Sequence, residues 1–264
     1  VQTCALPILS DIGAIAPGYK AHILIFDDLK EFKPTLVFKS GEIVAKNGIL
    51  TAIYETNNIP KLRGSVNVKW IEHDDFKIEA KNDKAKVIEI VPSSLLTNCS
   101  VEKIKVVGGY AESDIENDVL KIAVLERHKA SGNIGKGFVK GFGFKSGAIA
   151  STVAHDSHNM IIVGTNDEDM YLAGIELVKS QGGKVVVNNG KVVAKLPLPV
   201  AGLMSDENFE KVLSQCQKLK EAVKEIGCPL EDPFMTVAFM SLPVIPNIKI
   251  TDKGVYDVCK SEFI

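Results

Sequence analysis

The chain has 264 residues, 45% of them hydrophobic, and a formal net charge of −2; it can bury a core, and two units of unequal size are the expectation. A pI near 6.3 and scattered basic residues exclude a general attraction to phosphate backbones or anionic membranes, so neither nucleic acid nor a membrane is an expected partner. No apolar run approaches the roughly 20 residues that span a bilayer, no secretory signal is recognisable, and the five cysteines, with no CxxC pair, read as reduced thiols of a cytoplasmic protein.

Residues 1–8 read as the in-frame translation of a sequencing-library adapter, with a genuine N-terminal tail as the alternative. On the first reading they stand outside fold reasoning and the chain is the C-terminal piece of a longer protein. From residue 11 to 47, short β-forming runs are punctuated by glycine turns, and Lys39-Ser40-Gly41-Glu42 has the chemistry of a tight hairpin. This is a small β-unit. Residues 48–75 are mixed and turn-rich, a connection that includes the single tryptophan, Trp70.

Residues 86–91 and 120–127 are expected strands, with a loop over residues 114–118 between them. Five glycines between Gly135 and Gly147 alternate with Phe138, Phe142 and Phe144. No Gly-Lys-Ser/Thr ending completes a phosphate loop, so the glycines read as permitting close packing. Residues 148–153 and 160–164 are two short strands. Residues 166–180 have helical spacing, with Asn166 or Asp167 as N-cap and Asp167, Glu168 and Asp169 complementing the dipole. Gly182-Gly183 ends that helix, and Asn188-Asn189-Gly190 turns a hairpin. A second helix is expected from Asp206 to Ile226, capped by Ser205, with Phe209, Val212, Leu213, Cys216, Leu219, Val223 and Ile226 on one face. The proline-rich apolar run after Pro229 reads as chain buried against the core or a partner.

The densest polar feature is His155-Asp156-Ser157-His158-Asn159, between the two short strands. Two readings stay open. The residues line a site that handles something polar, or they satisfy a turn, with the imidazoles capping carbonyls. HxxH alone is a weak metal signal. Asp167 and Asp169 are weaker candidates for acid–base work, because a helix start already accounts for them.

Several stretches carry a resemblance. Gly147-Ala148-Ile149-Ala150-Ser151-Thr152-Val153-Ala154-His155-Asp156-Ser157-His158-Asn159, Gly164-Thr165-Asn166-Asp167-Glu168-Asp169-Met170, Leu196-Pro197-Leu198-Pro199-Val200-Ala201-Gly202-Leu203-Met204 and Pro233-Phe234-Met235-Thr236 closely resemble the C-terminal domain of the bacterial adenine deaminases. Glu126-Arg127-His128 and residues 137–143 match two further segments of that family. One departure is His22, which follows Ala21 where the family usually has an aspartate that helps a turn.

The resemblance implies an α+β fold: a small β-sandwich segment, the tail of an amidohydrolase, followed by a mixed-sheet α+β C-terminal domain, with the catalytic TIM-like barrel absent. It implies boundaries at residues 9–60 for the barrel end and sandwich strands, 61–75 for a connection and 76–264 for the C-terminal domain. It also implies hydrolysis of adenine to hypoxanthine and ammonia, as in purine salvage or adenine catabolism. The water would be activated by a divalent metal, manganese or iron, whose ligands lie outside this chain. Adenine, the missing N-terminal barrel and further copies of the protein are the implied partners, and the isolated chain is expected to be inactive. His155, Asp156, Ser157, His158 and Asn159 would then wall the substrate pocket without ligating metal. A non-catalytic structural or oligomerisation module is the alternative.

Overall fold

The computed structural model describes residues 10–51 and 64–264. It divides into two compact units, Val1–Ile59 and Pro60–Ile264. The adapter-like residues 1–8 and most of the turn-rich stretch after residue 51 lie outside the described residues.

In the first unit, β1 (Ile23–Phe26), β2 (Pro34–Lys39), β3 (Glu42–Lys46) and β4 (Ile49–Leu50) form an antiparallel sheet in chain order. The β2–β3 turn lies at Ser40 and Gly41, with φ of 53° and 86°, the left-handed pair that a tight two-residue turn requires. His22 supports the same turn: its Nδ1 accepts the Ser40 N–H at 3.1 Å. The imidazole thus does a turn-holding job of the kind expected of the aspartate usual in this place.

The second unit is built on one large sheet. In chain order its strands are β5 (Ile78–Glu79), β6 (Lys84–Ile90), β7 (Thr97–Lys103), β8 (Lys105–Val107), β9 (Tyr110–Glu112), β10 (Val119–Leu125), β11 (Ile134–Lys140), β12 (Ala148–Ser151), β13 (Met160–Gly164), β14 (Gly183–Asn188), β15 (Lys191–Pro197), β16 (Ile248–Thr251), β17 (Gly254–Asp257) and β18 (Glu262–Phe263). Eight of them form the order β15-β14-β12-β13-β10-β11-β6-β7. Every pairing is antiparallel except β11 with β6. Two three-stranded sheets, β5-β9-β8 and β16-β17-β18, complete the unit. The described residues contain no closed barrel, and the class is mixed α+β.

Side-chain alternation distributes the core to both faces. Leu120, Ile122 and Val124 of β10 join Ile149, Ile161, Val163 and Val186 on one face. There they meet α2 (Phe209–Glu225) through Leu219 and Val223 and α3 (Pro233–Met240) through Phe234 and Val237. Ala123 and Leu125 join Ala150, Met160, Ile162 and Val185 on the other face, covered by Met170, Ala173 and Leu177 of α1 (Asp167–Lys179). Central strands covered on both sides explain why β13 reads as an uninterrupted apolar run and β10 as one broken by Lys121 alone. Val66 and Ile71, from the stretch expected to be a connection, are buried in this second cluster.

Helix ends depart from expectation in two places. Helix α2 starts at Phe209 with Asn208 as its cap, its side chain accepting the Lys211 N–H; Ser205 accepts from Glu207 in the preceding turn instead. The proline-rich run contains a helix that the sequence reading did not include. Asp232 caps α3 by accepting the Met235 N–H, and Pro233 occupies its first turn, where a missing N–H costs nothing.

Candidate functional site

The His155–Asn159 segment joins β12 to β13, two adjacent central strands. Its entry is fixed from below: Thr152 Oγ1 accepts the Gly183 N–H at 2.8 Å and donates to the Gly202 carbonyl at 2.6 Å. Its middle is tied to α3. The His155 N–H donates to the Ala238 carbonyl at 3.0 Å and Ser241 Oγ donates to the His155 carbonyl at 3.2 Å. The His155 ring lies flat on Phe239, with centroids 4.5 Å apart and planes 5° from parallel. A second ring, His158, stands 6.0 Å away, centroid to centroid.

The two imidazoles share an unusual state. In each, Nδ1 is buried and meets no hydrogen-bond partner among the described residues, a condition that costs roughly 1–3 kcal/mol per group. Burial lowers the His158 pKa, assisted by the neighbouring His155 and the Arg127 guanidinium. His158 is therefore neutral at pH 7, with one ring nitrogen donating and one accepting. It also sits at φ +50°, in the left-handed region that histidine enters more readily than β-branched or bulky residues.

Around this pair, the remaining candidates divide by environment. Asp156 and Ser157 are exposed. The Ser157 carbonyl contacts His128 Nε2 at 2.7 Å and its Oγ receives the Asn159 N–H at 3.4 Å. Asn159 is buried, only 4% exposed, and its amide runs between the Arg127 N–H, which it accepts at 3.4 Å, and Asp252, to which it donates at 3.3 Å. It holds the loop and presents little surface of its own.

Asp167 and Asp169 do not join the loop. They follow β13, whose five residues separate them from His158 and Asn159 by about 16 Å of strand. Asp167 receives the buried Lys121 ammonium at 2.8 Å, while burial pushes its carboxyl above the ordinary range against that partner's pull. Asp169 is 2% exposed and accepts from Asn166 Nδ2 at 2.9 Å and the Gly190 N–H at 2.7 Å. It anchors the β14–β15 turn. Both carboxylates serve architecture.

Two residues next to the loop escaped the sequence reading as participants. Arg127 is 1% exposed, and its guanidinium donates to the carbonyls of His158, Ser65 and Ala201. Its neighbour Glu126 organises the following turn, accepting the N–H groups of His128, Lys129 and Ser131 and the Ser131 hydroxyl. Burial alone would raise the Glu126 carboxyl, but these four donors outweigh it and hold the pKa at about 2. A depressed carboxylate stabilises the fold above the unfolded-state value and loses that contribution as pH falls through the folded value. Glu126→Gln is therefore expected to cost about 1 kcal/mol at pH 7, after discounting for solvent screening. It should also flatten the loss of stability between about pH 4.5 and pH 2, as read by urea titrations across that range. An acid limb identical to that of the parent chain would refute this account.

Among the described residues, no group of three His, Cys, Asp or Glu side chains comes together as a place for a metal ion. No helix among the described residues is long and apolar enough to cross a membrane. What the loop can do is present two imidazoles, a carboxylate and a hydroxyl from a rigid support.

Comparison with known proteins gives these observations a family. Residues 94–262 match the family model described as adenine deaminase C-terminal domain. The chain is 48% identical to adenine deaminase 2 of Carboxydothermus hydrogenoformans over 252 residues, 95% of this chain and 44% of that protein. It is 45% identical to the adenine deaminase of Dehalococcoides mccartyi over 251 residues, again 95% and 44% of the two chains. Against the adenine deaminase of Halalkalibacterium halodurans it is 44% identical over 260 residues, covering 97% of this chain and 44% of that one. The chain thus spans less than half the length of these curated relatives.

Proposed function

The chain belongs to the adenine deaminase C-terminal domain family, and from that membership we propose that it forms the C-terminal part of an enzyme hydrolysing adenine to hypoxanthine and ammonia. In this reading its own residues recognise the purine and exclude water, while the divalent metal, manganese or iron, is held by ligands in the portion of the protein that precedes it. Among the described residues no metal-ligand set forms, and no hydrolytic step is assigned to them.

The observation that supports the reading is the His155–His158 pair, two rings 6.0 Å apart on one loop beside the exposed Asp156 and Ser157. A neutral imidazole offers one donor and one acceptor, and adenine presents an acceptor at N7 beside a donor at its exocyclic amine. Two such rings 6.0 Å apart, one immobilised on Phe239, can complement that edge without ordering cost at the moment of binding. Asp156 and Ser157, exposed on the same loop, add an acceptor and a hydroxyl at its rim. The reading further places the protein in the cytoplasm, in purine salvage or adenine catabolism.

The direct test is ammonia release from adenine. The isolated chain, supplied with manganese or iron, is expected to release none, and the full-length protein to release it steadily. Turnover by the isolated chain would overturn the assignment of the metal chemistry to the preceding portion; no turnover by the full-length protein would overturn the activity.

A second reading, a structural or oligomerisation module, draws on α2. Phe209 and Leu213 stand one turn apart on it and are 73% and 46% exposed, an apolar stripe left uncovered at the end where Leu219 and Val223 no longer bury it.

A further inference from the structure

We propose that Arg127 is the positioning residue of the histidine loop, fixing the place of the His158 imidazole through the His158 backbone and so setting substrate affinity. The effect on affinity rests on the pocket reading above; the placement of the ring does not.

Four observations converge. First, Arg127 is 1% exposed, and no carboxylate pairs with its guanidinium among the described residues. Its acceptors are three backbone carbonyls from three separate segments, those of Ser65, His158 and Ala201. A buried cation with only neutral partners is an expensive way to fill space, and a planar fork that reaches three carbonyls at fixed angles is what arginine alone provides. Second, one of those carbonyls belongs to the residue at φ +50°. A backbone in that region persists where its surroundings over-determine it, and Nε of Arg127 supplies that constraint at His158.

Third, the segment after β10 that carries Arg127 grips the loop at neighbouring points. The Arg127 N–H reaches the Asn159 amide at 3.4 Å, and His128 Nε2 reaches the Ser157 carbonyl at 2.7 Å. Fourth, the guanidinium is backed by Gly202, where a Cβ would lie 2.8 Å from the nearest guanidinium nitrogen. The 199–204 turn keeps a glycine, at φ +71°, at the point where arginine needs the room. Arg127 has no open path to a ligand through this ring of carbonyls, so it acts through His158 and does not touch substrate.

The experiment uses two variants of the full-length protein. Arg127→Lys keeps the charge but loses the fork; Gly202→Ala keeps every donor and crowds the guanidinium from behind. In both, the 15N side-chain resonances of His158 are expected to shift and its titration to move, with the far-UV circular dichroism retained. KM for adenine is expected to rise about tenfold with kcat changed less, a scale that small misplacements of a binding group reach readily. A merely structural clamp would lower the melting temperature and leave both the folded protein's histidine spectrum and its KM alone. That result, or an unshifted His158 in Arg127→Lys, would overturn the proposal. Shifted His158 resonances in these two variants, with kinetics unchanged in them and in His158→Ala, would support the positioning and reject the pocket reading instead.

Discussion

Replacing His155 and His158 together by alanine in the full-length protein is expected to lower kcat/KM for adenine about 100-fold, most of it in KM. The basis is the pairing of two opposed properties in these rings. Each is held in place, His155 against Phe239 and His158 by a backbone that Arg127 fixes, yet each keeps a buried ring nitrogen without a partner. A group that only served packing would have its polar atoms satisfied. Because the rings are neighbours, 6.0 Å apart, the single variants should not add up to the double one.

The state of His158 makes the expectation sharper. With its pKa lowered by burial, His155 and Arg127, the ring protonates only at acid pH. The unfolded chain takes up that proton first, so His158 lowers stability as pH falls below the ordinary histidine value near 6.5. Substrate binding that needs a neutral imidazole should weaken over the same acid range, and His158→Ala should remove that dependence from KM. Steady-state kinetics from pH 5 to 8, with sedimentation to follow assembly, separates the readings. Unchanged catalytic efficiency with altered assembly would move the loop to the oligomerisation module.

Much of the scaffold around this loop is legible in the residues, for local reasons. The Ser40-Gly41 and Asn189-Gly190 turns fall where the residue types tolerate positive φ, and Asn166 caps α1 as its position before three acids suggests. The central strands announce themselves by apolar runs, broken in β10 at Lys121. Helix α3 was hidden in a run that reads as proline-rich, apolar chain, although an aspartate followed by proline also starts a helix. Strand β7, Thr97–Lys103, carries mostly polar residues at the sheet edge, where neither face demands a pattern.

The site is legible in part for a different reason. The loop's composition marked it, but part of what supports it is a charged side chain whose acceptors are backbone carbonyls, a kind of partnership that recurs elsewhere in the fold. Arg127 reaches Ser65, His158 and Ala201, and Lys249, fully buried, donates to the Leu95 carbonyl at 2.9 Å, with burial pushing its pKa down to about 8. A carbonyl has no residue type, so such partnerships leave no mark in a single sequence. Arginine and lysine read as surface residues until the fold closes over them.

Lys121 is the sharpest case, and its removal carries the largest expected loss of stability. It interrupts the apolar run of β10, yet it is 1% exposed. Its ammonium lies 2.8 Å and 3.0 Å from the two Asp167 oxygens and 3.1 Å from Glu112. The two Asp167 contacts are hydrogen bonds and the Glu112 contact is an ion pair, so two carboxylates compensate the buried charge. Lys121→Ala leaves two carboxylates facing a void, and Asp167 is already raised by burial with its main compensating partner removed. Breaking a buried pair on one side costs about 3–5 kcal/mol; because Asp167 and Glu112 keep 22% and 32% of their side chains exposed, about 3 kcal/mol is expected. Urea unfolding followed by far-UV circular dichroism should show the loss. Lys121→Met with Asp167→Asn, which restores volume and removes one charge, should recover part of it. A parent-like midpoint for Lys121→Ala would mean that the ammonium contributes nothing net. The apolar run of β10 would then hold the sheet centre by packing alone.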